Sequence, residues 1–182
     1  MDFVVIGGVA AVLHGSARNT FDLDICFAGD PDNLEALGST LVGLRAKLRG
    51  VREPVAFVPD AASLKRVDVL TLTTDAGDLD VLRVPSGAPR YDVLRSHADR
   101  YDVGGFEVRV ASVEDLIAMK SAAGRPKDLS DSLFDGLPVL QVFGGCARFG
   151  HVHPDTASIR SFDGIHQTKD FPKFIRGHSP AA

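Results

Sequence analysis

Tryptophan is absent from this chain of 182 residues, and cysteine occurs only twice. Cys26 and Cys146 are too few for a disulfide framework and lack the spacing of metal ligands, which agrees with a reducing compartment. Long apolar runs are missing too: none approaches the roughly 20 residues of a membrane span. No basic segment precedes the short apolar run at the N-terminus, so no signal peptide is read, and a cytoplasmic protein without a membrane partner is expected. Nor is there an excess of positive charge, since 20 Lys and Arg stand against 24 Asp and Glu, for a net charge of -4. That balance gives no global attraction to nucleic acid, although Arg45, Lys47, Arg49 and Arg52 form a local cluster able to meet phosphates. The length suits one domain, or one domain with an appendage, and suffices to bury about two-thirds of the unfolded chain's surface.

What is present begins with Phe3-Val4-Val5-Ile6, which reads as a buried strand, after which Gly7-Gly8 allows a tight turn into a short helix from Val9 to His14. A second apolar run, Phe21-Asp22-Leu23-Asp24-Ile25, carries two aspartates one residue apart. Side chains two apart on a strand leave the same face, so both carboxylates converge while Phe21, Leu23 and Ile25 are expected to anchor the other face. Asp30 with Pro31 opens a helix, and Leu34, Leu37, Leu41, Leu44 and Leu48 at spacings of three and four draw one stripe along it. Val67 to Thr74 and Leu79 to Val84 read as strands joined by a turn at Asp75-Ala76-Gly77, with Asp78 and Asp80 on one face. Tyr91 to His97 is moderately helical, and Tyr101 to Val103 with Phe106 to Val110 makes a second hairpin across Gly104-Gly105. Ser112 with Asp115 starts a helix through Ala123, closed by Gly124, and Pro126 opens another. The expected fold is α/β (α+β): a small mixed sheet flanked by helices over residues 1–135. An irregular or partly disordered extension is expected over 136–182, where Gly, Pro, His and Ser accumulate.

Two unneutralised carboxylates so close raise each other's pKa, which makes a divalent cation their natural partner. A strand, a Gly-Gly turn, a short helix and an Asp-x-Asp strand form a layout suited to moving a nucleotidyl group. Backbone N–H groups at Gly7 and Gly8 would receive phosphate, and Asp22 and Asp24 would hold Mg²⁺ against it. Asp80 is the candidate for a third carboxylate in a two-metal clamp, with Asp78 in reserve. Arg18 is read as a phosphate ligand, with pairing to one of the aspartates as the alternative. His14 is read as structural, and His151-x-His153 as an exposed tail rather than a metal site, because a third ligand at useful spacing is missing.

Ile6-Gly7-Gly8, His14-Gly15, Arg18 and above all Thr20-x-Asp22-Leu23-Asp24 resemble the first motif of the DNA polymerase β-like nucleotidyltransferase superfamily. Further on, Ser112-Val113-Glu114-Asp115-Leu116, Met119-Lys120 and Gly124-Arg125-Pro126-Lys127-Asp128-Leu129-x-Asp131 resemble the later motifs of the AbiEii and MenT group of bacterial nucleotidyltransferase toxins. The resemblance covers residue 3 to about 133. It implies the toxin half of a toxin–antitoxin pair, which uses Mg²⁺ to transfer NMP from an NTP to the 3′ acceptor end of tRNA and so blocks translation. By motif position, Asp22 and Asp24 hold the metal, Lys120 contacts the triphosphate with Arg125 on the phosphate side, and Asp128 is the later catalytic acid, with Asp131 as its alternative. Thr20 matches a place where some family members carry a hydroxyl that an antitoxin can phosphorylate.

The chain departs from that pattern at both ends. Relatives place a helix before the first strand, where only Met1 and Asp2 stand here, so an upstream start or a trimmed piece is one reading. They also continue past the Lys-Asp motif with an amphipathic helix, where this chain runs Ser132-Leu133-Phe134-Asp135-Gly136-Leu137-Pro138. Two rival readings follow: a non-catalytic, degenerate member that binds nucleotide or an antitoxin, and an enzyme that transfers NMP to a protein side chain.

Overall fold

The computed structural model describes residues 1–17, 19–51 and 57–124, together with the backbone of 160–161. Phe3–Ile6 forms β1, and the chain passes directly into α1, Gly7–Leu13, so the helix starts two residues earlier than the apolar pattern alone marks. β2, Asp22–Phe27, returns antiparallel to β1 with Ile6 opposite Asp24. Asp30 then caps α2, Pro31–Gly43, by accepting the Asn33 N–H at 3.0 Å, with Pro31 in the first turn where its missing N–H costs nothing.

Leu34, Leu37, Leu41 and Leu44 are all buried, as the stripe requires, but Leu48 is not on the helix. The helix stops at Gly43, Arg45 takes a left-handed φ of 50°, and Leu48 falls in β3, Lys47–Leu48. A four-residue step that fits a helical stripe fits the re-entry of a strand equally well once the chain has turned. Asp60 caps the short α3, Ala61–Lys65, and β4, Val69–Thr74, pairs as a hairpin with β5, Gly77–Leu82. After α4, Tyr91–His97, come β6, Asp99–Asp102, and β7, Glu107–Val110, again a hairpin. Ser112 caps α5, Val113–Ala123, by accepting the Asp115 N–H at 3.2 Å, and Gly124 ends it with a left-handed φ of 60°.

The strands join one mixed sheet in the order β3-β4-β5-β2-β1-β7-β6-β8, in which β8 is the two-residue strand Arg160–Ser161 lying parallel to β6. Seven strands precede residue 124 among the described residues, so the sheet is larger than the small one expected. β8 adds a piece of regular structure within the extension expected to be irregular; the rest of that extension lies outside the described residues.

The central strands show where covered and open faces meet. In β5, Leu79 and Val81 are buried while Asp78 and Asp80, which alternate with them, are partly exposed. β2 alternates in the same way over Asp22, Leu23 and Asp24, then becomes buried on both faces through Ile25, Cys26 and Phe27. The open corner therefore lies at the N-terminal half of β2, beside β5. Phe21, expected to anchor the covered face, is instead 89% exposed. It precedes the first residue of β2, and the core that covers Leu23 and Ile25 does not extend over it.

Candidate active site

β2 and β5 run parallel in a register that sets Asp22 beside Asp78 and Asp24 beside Asp80. Because side chains alternate along both strands, all four carboxylates stand on one face while Leu23, Ile25, Leu79 and Val81 hold the strands into the core from the other. The clustering is thus a product of the apolar residues between the acids.

β1 and α1 close the site from the opposite side. Gly7 has a φ of 65°, and a Cβ there would overlap the Asp24 carboxylate, so only glycine lets the backbone pass so near. A Cβ on Gly8 would likewise run into the Thr20 side chain. The Gly8 N–H faces Asp24 and favours its charged form. The Thr20 hydroxyl donates to Asp22 Oδ1 at 3.0 Å and orients the first acid of the pair.

The electrostatics follow from this geometry. Burial pushes the Asp24 carboxyl up to about 7, helped by the charges of Asp22 and Asp80 and opposed by the Gly8 N–H and Arg49. Asp80 is also raised, chiefly by burial, whereas hydrogen bonds from Arg49 and Thr73 hold Asp78 below the usual carboxylate range. Arg49, just past β3, spans the two: Nη1 lies 2.8 Å from Asp78 Oδ2 and Nη2 lies 2.7 Å from Asp80 Oδ1. One guanidinium thus serves a face that carries four carboxylates.

Arg49 was legible only as a member of a basic cluster facing phosphate. In the structure Arg45 and Arg49 face carboxylates, Arg45 pairing with Asp75, while Arg52 lies outside the described residues. The available signal was the need of Asp78 and Asp80 for a counter-charge, but pairing across 29 and 31 residues leaves no local pattern. Lys120 is half-buried in α5, a helix that packs against α1. Arg18, Arg125, Asp128 and Asp131 lie outside the described residues, as do His151 and His153. His14 is structural as expected: its Nε2 lies 2.8 Å from the Ala111 carbonyl and its Nδ1 lies 3.2 Å from the Tyr101 hydroxyl, tying the end of α1 to the β6–β7 hairpin.

Among the described residues, no three His, Cys, Asp or Glu side chains form a group that could hold a metal ion by themselves. Mg²⁺ does not demand such a cage, because it keeps several waters and is commonly held by one or two carboxylates together with substrate phosphates. A half-buried Asp22–Asp24 pair, in which burial and mutual repulsion disfavour the charged state of Asp24, has the donor chemistry for that mode of binding. No helix among the described residues is long and apolar enough to cross a membrane. Compared with protein-family models and with curated proteins, the chain matches none.

Proposed function

We propose that this chain is a Mg²⁺-dependent nucleotidyltransferase of the DNA polymerase β-like type, acting as the toxin of a toxin–antitoxin pair by transferring NMP from an NTP to the 3′ hydroxyl of tRNA. The observation that carries the reading is the placement of Asp22 and Asp24 on one face of β2, with Asp80 in register beside Asp24 on β5 and a glycine pair packed against them. Asp22 and Asp24 would hold the ion together with the triphosphate; Asp80, expected as a third carboxylate, is paired with Arg49 and forms no three-membered metal group with them. When bound, Mg²⁺ supplies positive charge to the triphosphate and acidifies the attacking hydroxyl. Lys120 is assigned to the triphosphate, and Asp128 to the later acid role, by motif position. The Thr20 hydroxyl orients Asp22, so phosphorylation there would add about -1.5 to -2 charge against a carboxylate and oppose binding of the triphosphate.

The test is incubation of purified protein with each radiolabelled NTP, Mg²⁺ and total tRNA. Labelled RNA that disappears in the Asp22→Ala, Asp24→Ala double variant is expected. Equal labelling by that variant would remove the chemistry from these residues. One observation favours the rival, non-catalytic reading: Arg49 already neutralises part of the acidic face. Nucleotide binding without any labelled product would decide for it, and label on protein rather than RNA would move the acceptor to a side chain.

A further inference from the structure

We draw no further inference here: the strongest candidate, the exposed Phe21 ring at the open N-terminal end of β2, is an unpartnered apolar surface, and nothing in the structure shows what covers it.

Discussion

At Asp24, burial and two neighbouring carboxylates all act against ionisation, and the sign of the effect on stability can be worked out. Its folded-state pKa of about 7 exceeds the ordinary 3.8, so the folded state binds the proton more tightly than the unfolded chain does. The penalty is absent below about pH 4, grows as the pH rises through the interval to 7 and is complete above it. Asp24→Asn is therefore expected to stabilise the metal-free protein at pH 8 by a few kcal/mol and to have little effect near pH 4, measured by urea unfolding at both values. Added Mg²⁺ should raise the melting temperature of wild type at pH 8 and leave Asp24→Asn unchanged. Gly7→Ala belongs to the same corner: a left-handed φ costs a residue with a Cβ about 1–2 kcal/mol before the overlap with Asp24 is relieved. It is expected to lower stability by at least that much and to weaken Mn²⁺ binding, both readable on one preparation. Phe21→Ala, in contrast, should change unfolding free energy by no more than about 0.5 kcal/mol, because the ring is 89% exposed.

Among the elements, those built from contiguous signals were legible in advance. The Asp30-Pro31 start of α2, the Ser112–Asp115 start and Gly124 end of α5, and the alternation of Asp22 and Asp24 are all decided within a few residues, where local sterics and hydrogen bonding act. The stripe ending at Leu48 shows the limit, since spacing alone does not reveal that Arg45 has reversed the chain. Phe21 shows another: alternation assigns a face, but whether that face is covered depends on packing from distant elements. The partnership of Arg49 with Asp78 and Asp80 depends on β3 joining β4 and β4 joining β5, which no local pattern records. At this scale Asp30→Ala is expected to cost about 1 kcal/mol through loss of the α2 cap, and Leu37→Ala about 2–5 kcal/mol through the cavity left in a fully buried position. Urea unfolding of both variants checks the order, the cap being the cheaper loss.

For the whole molecule, a net charge of -4 means that tRNA would have to be met by a local surface rather than by the overall field. Arg45 and Arg49, two of the basic residues available for that task, are engaged by Asp75, Asp78 and Asp80. One face brings together four carboxylates, the Arg49 guanidinium and a glycine pair from the first and second quarters of the chain. The measurement that bears on it most directly is a crystal structure grown with Mn²⁺ and a non-hydrolysable NTP, with data collected at an energy where manganese scatters anomalously. A manganese peak bonded to oxygens of both Asp22 and Asp24, with the triphosphate completing its coordination, is the expected result. Nucleotide and manganese bound elsewhere, with Asp22 and Asp24 free of metal, would contradict the account.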